Sequence, residues 1–287
     1  MSFRVPMAVL FCAICLSTPP GTFAGAVDDY VAEAQQYLDQ GETKAAVIQL
    51  KNALQQDPAN VQARLMLGAL HLQRRDGAAA AKEFGRARDL GAESQAWTLG
   101  YARALLLQRK FRELLEEVVV DPALPDSMRA RLHALRGNAS LALRETDVAV
   151  TEYGTALELD PTNAMARLGK ARMLFAAGRD AEGMEQLDRI LAERPGHVES
   201  RIFRGDLLRR RQRLDEAAAD YQRAAQESPR NPSAYIGLAL VHIAQRELAS
   251  ANEDLATLHQ LAPGLPAVSY LQALVSFQEG DTERASA

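Results

Sequence analysis

Pro161, Pro195, Pro229 and Pro263 stand 34 residues apart. A fixed period of this length marks a stacked supersecondary unit, and it constrains the chain more than its composition does. The prolines set units at 130–163, 164–197, 198–231 and 232–265. The same phase runs back to 27–60, which ends with Pro58, and to 61–94, which has no proline. Unit 95–128 is degenerate, a one-residue slip at Arg129 restores the phase, and 266–287 is a partial eighth unit.

Within each unit the periodicity is helical. The eighth place is always small: Ala34, Gly68, Ala102, Gly137, Ala171, Gly205, Ala239 and Ala273. The twentieth is small in all units but one, as in Ala46, Ala80, Ala149, Gly183, Ala217 and Ala251. The twenty-fourth takes a large apolar group at Leu50, Phe84, Tyr153, Leu187, Tyr221 and Leu255. Small against large at this spacing is the pattern of two interlocked helices. Proline lacks an N–H and disfavours helix at the preceding residue, so each one ends a second helix and opens the next pair. Gly41, Gly178 and Gly280 fall at the turn inside a pair, where positive φ is easiest to supply.

This pattern resembles the tetratricopeptide-repeat family over nearly all of residues 27–287. The resemblance implies an all-α solenoid of antiparallel helix pairs, wound as a right-handed superhelix, with about seven full repeats and the partial eighth. Unit 95–128 departs from it, with Leu114 at the small twentieth place and Pro122 and Pro125 near its end. A shortened or displaced second helix is expected there. Such arrays present extended binding surfaces, so the expected activity is partner binding.

The first 26 residues read as a signal peptide. Arg4 supplies the positive start, Val5 to Leu16 is apolar, and Ala24-Gly25-Ala26 offers a small-x-small cleavage site. Val27 would then begin the mature chain. Cys12 and Cys15 are small hydrophobes within that segment; a lipid anchor on one of them is the alternative reading. No later stretch is long and apolar enough for a membrane-spanning helix. The net charge of −4 gives no field to attract nucleic acid.

No catalytic, cofactor or metal constellation appears. His71, His133, His197, His242 and His259 are scattered singly, whereas a zinc site needs several converging ligands. Arg209, Arg210, Arg211 and Arg213 close the first helix of 198–231, where exposed carbonyls favour positive charge; an anionic partner is the functional alternative. A protein or peptide partner is expected in the concave groove lined by the first helices. The candidate lining is Leu99, Arg103, Asn138, Leu168, Arg172, Phe175, Ile202, Asp206 and Arg209. Chaperone-adaptor members of the family clamp a terminal carboxylate there, but Ala134, Leu168 and Gly169 occupy the clamp places here.

Gly41 to Leu54 (GETKAAVIQLKNAL) and Ala102 to Gln108 (ARALLLQ) are similar to the PEP-CTERM system tetratricopeptide-repeat lipoproteins. That resemblance implies a scaffold in the periplasm or envelope of a Gram-negative bacterium, assisting exopolysaccharide export and exosortase-linked assembly. An outer-membrane lipoprotein is the alternative address. A second functional reading takes the array as the docking arm of a longer glycosyl- or sulfotransferase-type enzyme, truncated at Ala287.

Overall fold

The computed structural model describes residues 21–280, and every element among them is an α-helix. The expected signal segment up to Pro20, with Cys12 and Cys15, lies outside the described residues. The chain divides into two compact units at Asp121/Pro122. The first contains α1 (Gly21–Asp39), α2 (Thr43–Gln56), α3 (Val61–Gln73), α4 (Gly77–Asp89), α5 (Ser94–Leu107) and α6 (Phe111–Glu117). The second contains α7 (Asp126–Ala142), α8 (Thr146–Leu159), α9 (Ala164–Ala176), α10 (Asp180–Glu193), α11 (Val198–Arg210), α12 (Leu214–Glu227), α13 (Pro232–Gln245), α14 (Leu248–Leu261) and α15 (Pro266–Glu279). In both, consecutive helices pack as pairs, and each pair rests on the next. The short α6, with seven residues, is the second helix of 95–128, and Leu114 is fully buried in it.

The turn inside each pair is built the same way. After the first helix comes a left-handed residue: Gly41, Arg75, Arg109, Arg144, Gly178, Gln212, Arg246 or Gly280, with φ between 58° and 83°. In the seven complete turns the following N–H reaches back to a carbonyl five residues earlier, as Asp76 to His71 and Arg213 to Leu208, both at 2.9 Å. This is the Schellman closure of a helix end. It is imposed by the backbone even where the residue is not glycine, at a cost of about 1–2 kcal/mol for an L side chain.

The turn between pairs ends in an N-cap. Asn60, Asn163 and Asn231 accept the N–H of Ala63, Ala166 and Ser233. At the equivalent place His197 Nδ1 accepts from Ser200 N at 3.2 Å. Burial holds this imidazole below its ordinary pKa, and Glu199 opposes that shift more weakly. The folded state thus binds the proton less readily than the unfolded chain, so this contribution is complete at neutral pH and falls as pH drops below about 6.5. H197N is therefore expected to lose less melting temperature between pH 7.5 and 5.5 than the parent does. An identical loss in both proteins would remove His197 as the cause.

The core alternates between two packing solutions. Phe84, Tyr153 and Tyr221 are wedged between two glycines each: Gly68 and Gly100, Gly137 and Gly169, Gly205 and Gly237. The first glycine is the small eighth place of the same pair. The second is the sixth place of the next first helix. Where the twenty-fourth place is leucine, the eighth is alanine and the following sixth is large: Leu50 with Met66, Leu187 with Phe203, Leu255 with Leu271. Volume lost at one position is returned at its neighbour, which keeps the interior close-packed.

A carboxylate beside the wedge ties the two helices of a pair together. Glu83 accepts from Arg64 at 2.7 Å, and both are buried. Glu152 accepts from Arg136 and pairs with His133, each at 2.7 Å. Asp220 accepts from Arg201 and Arg204, and Asp254 pairs with His242 at 2.7 Å. Burial pushes Glu152 up, but the hydrogen bonds from His133 and Arg136 more than reverse it and leave the carboxyl below its usual range.

At the far end α15 is a complete helix. Val268, Leu271 and Val275 are buried against α13 and α14. Tyr270 and Phe277, two turns apart, are 62% and 68% exposed. α15 therefore carries an exposed apolar edge.

Candidate partner-binding groove

The candidate groove residues have three different fates. Leu99 is half-buried and Arg103 exposed on α5, in the first unit. In the second unit, Asn138 and Asp206 are engaged by the core: each accepts the hydroxyl of a wedged tyrosine, Tyr153 and Tyr221, at 2.7 Å. Burial pushes the Tyr153 phenol up to about 12. Burial, with help from Asp206, also raises Tyr221, so both tyrosines stay donors. Leu168 is 5% exposed and belongs to the core around Leu187, so it is not groove surface. Ile202 packs against the cluster around Tyr221. Arg209 is half-buried, and its Nε makes no hydrogen bond among the described residues.

Arg172 and Phe175 are the pair that the structure brings into one site. They project from α9 toward α11, where Phe203, Leu207, Arg210 and Arg211 meet them around a cavity of about 400 Å³. Phe175 and Phe203 stand edge to face, 5.7 Å between centroids at 76°. The Arg172 guanidinium lies 5.4 Å over the Phe203 ring, and that of Arg211 lies 5.9 Å over Phe175. Arg211 is also paired with Asp180 at the start of α10. A cation over a phenyl face is attracted by the ring quadrupole, which orients the guanidinium before any ligand arrives.

Phe203 and Leu207 lie at the sixth and tenth places of their unit, whereas the candidate lining residues all lie at the fifth, ninth or twelfth, so the sequence pattern passes them by. A discoverable signal exists. Phe203 fills the sixth place that is glycine in 95–128, 164–197 and 232–265, so an aromatic ring appears where every second repeat leaves a gap. Arg210 and Arg211 belong to the arginine run; there Arg211 pairs with Asp180, Arg213 with Glu216 at 2.6 Å, and Arg209 lies beside Tyr221.

A second cavity, of about 610 Å³, opens between α8 and α9 and is walled by Leu141, Val150, Tyr153, Leu157, Met173 and Ala177. Its wall is mostly apolar, with Thr146, Lys170 and Arg179 also lining it. Among the described residues no cluster of three metal-ligating side chains occurs, and no helix is long and apolar enough to cross a membrane.

Three tetratricopeptide-repeat family models match the chain, at residues 37–99, 135–198 and 205–245, together more than half of its length. DnaJ homolog subfamily C member 3 of Mus musculus is 27% identical over 97 residues, 34% of this chain and 19% of that protein. The match thus spans about a fifth of the curated relative. Among solved structures, yeast Tom70 aligns with a TM-score of 0.60 at 15% identity, covering 90% of this chain and 58% of that one. MamA from Desulfovibrio magneticus RS-1 aligns at 0.51 and 19% identity, covering 60% of this chain and 97% of that one. At these identities the structural likeness carries the fold alone. Matching repeat models and helix pairs closed by one recurring turn lead to a single assignment: the chain belongs to the tetratricopeptide-repeat family.

Proposed function

We propose that the protein is a non-catalytic scaffold, exported to the envelope of a Gram-negative bacterium, that holds protein partners of exopolysaccharide export and exosortase-linked surface assembly. The observation that carries the binding role is the α9–α11 cavity, where guanidinium groups are held over phenyl rings and open to solvent. A surface of that kind binds through a few aromatic and arginine anchors. The address rests on the apolar N-terminal segment with its small-x-small site, and the biological setting on the similarity of Gly41 to Leu54 to the PEP-CTERM system lipoproteins.

Deleting the gene in its host is the direct test, with secreted polymer and surface-sorted proteins measured. Both are expected to fall, to be restored by the full chain, and to stay low with R172E/R210E or with a chain lacking residues 1–26. Unchanged polymer and unchanged surface proteins after deletion would overturn the proposal.

A further inference from the structure

We propose that the α9–α11 cavity takes an internal side-chain pair, one carboxylate next to one aromatic ring, from an extended acidic segment of a protein partner. This deepens the scaffold reading and rests on it. The charge count in the cavity is the first argument. Three guanidinium groups, Arg172, Arg210 and Arg211, face one carboxylate, Asp180, which Arg211 already holds. Arginines elsewhere are commonly ion-paired, as Arg64, Arg88, Arg136, Arg167, Arg201 and Arg204 show. Arg172 and Arg210 have no carboxylate within ion-pair distance among the described residues. Two forked donors beside each other suit one carboxylate held at both oxygens.

The floor supplies the second half of the ligand. Phe175, Phe203 and Leu207 leave an apolar recess beneath the guanidinium groups, and an edge-to-face pair accepts a third ring in the same geometry. The volume, about 400 Å³, suits two side chains and not a folded element. A long polyanion fits less well. Asp180 stays in the site and would repel its continuing charges. One carboxylate followed by an apolar group satisfies both the arginines and the rings.

The probe is a short acetylated and amidated peptide with one Glu-Phe pair in a Gly-Ser background, its phenyl ring fluorinated, titrated against the full chain by fluorine NMR. Binding is expected for Glu-Phe and about ten-fold weaker binding for Gln-Phe. It should vanish for R172E/R210E. The F203L chain, with unchanged circular dichroism, should lose the preference for Glu-Phe over Glu-Leu when unlabelled peptides of each kind compete with the fluorinated probe. Equal binding of Glu-Phe and Gln-Phe, or binding of oligoglucuronate or inorganic phosphate at these arginines without binding of the peptide, would overturn the assignment. The two readings fail separately. If the peptide does not bind but R172E/R210E still fails to restore polymer, the ligand is wrong and the scaffold role stands. If the peptide binds and that variant restores polymer fully, the cavity chemistry stands and the envelope role falls.

Discussion

Asp220→Ala is expected to destabilise the pair α11/α12 by about 3–5 kcal/mol, the cost of removing one partner from a buried ionic cluster. Asp220 is 3% exposed and accepts from Arg201 Nη1 at 2.9 Å, Arg204 Nε at 2.7 Å and Arg204 Nη2 at 2.8 Å. Alanine strands both guanidinium groups. Arg204 keeps an exposed partner in Asp188, and Arg201 keeps only the Pro195 carbonyl. Asp220→Asn should cost less, because its amide oxygen still accepts while the charge is lost. In a repeat array the stability of one unit is partly separable from its neighbours, so the loss should concentrate in residues 198–227. Hydrogen exchange resolved by segment checks this. A loss below about 1 kcal/mol there would show that the carboxylate does not organise the pair.

Gly237→Ala is expected to destabilise by about 1–3 kcal/mol, although alanine favours helix over glycine by about 1 kcal/mol. A Cβ on Gly237 would stand 2.3 to 2.5 Å from three ring carbons of Tyr221, and one on Gly205 would meet the other side of the ring at 2.8 Å. Tyr221 is fully buried and cannot retreat. The control is Gly154→Ala in α8, where a Cβ meets nothing within 4 Å; there the propensity gain should appear alone, as about 0.5–1 kcal/mol of added stability. A further variant tests the alternation itself. G205A/Y221L/G237L adopts the neighbouring solution of Ala239, Leu255 and Leu271 and should recover much of what G237A loses. Thermal or urea unfolding of the four proteins decides it. If G237A proves as stabilising as G154A, the ring is not confined by the glycines.

The proline period and the small eighth place were legible because they are single-residue rules. Proline breaks helix by its own geometry, and two helices cannot approach over a long side chain. The left-handed turn was legible only at Gly41, Gly178 and Gly280. At Arg75, Arg109, Arg144, Gln212 and Arg246 the same conformation is forced by the Schellman closure around it, and nothing in an arginine announces it. The buried carboxylates were missed for a related reason. Glu83, Glu152 and Asp220, with the half-buried Asp254, recur at one place, yet a carboxylate on an amphipathic helix ordinarily faces water.

The groove divides along the same line. Helical spacing selected Arg172 and Phe175 as residues on the first-helix face. It selected Asn138 and Asp206 by the same rule, and these the core uses as acceptors for tyrosine hydroxyls. Whether a polar side chain on that face serves a partner or a buried hydroxyl depends on the residue at the twenty-fourth place, fifteen positions away, and on the depth of its ring. Sequence by itself determined the helix pairs, their length and the junctions between them, because those follow from backbone sterics and from volume at one position. Only the tertiary structure decided which arginines are ion-paired and that Arg172 stands open over Phe203, because charge pairing is settled by distances between helices that no local pattern contains.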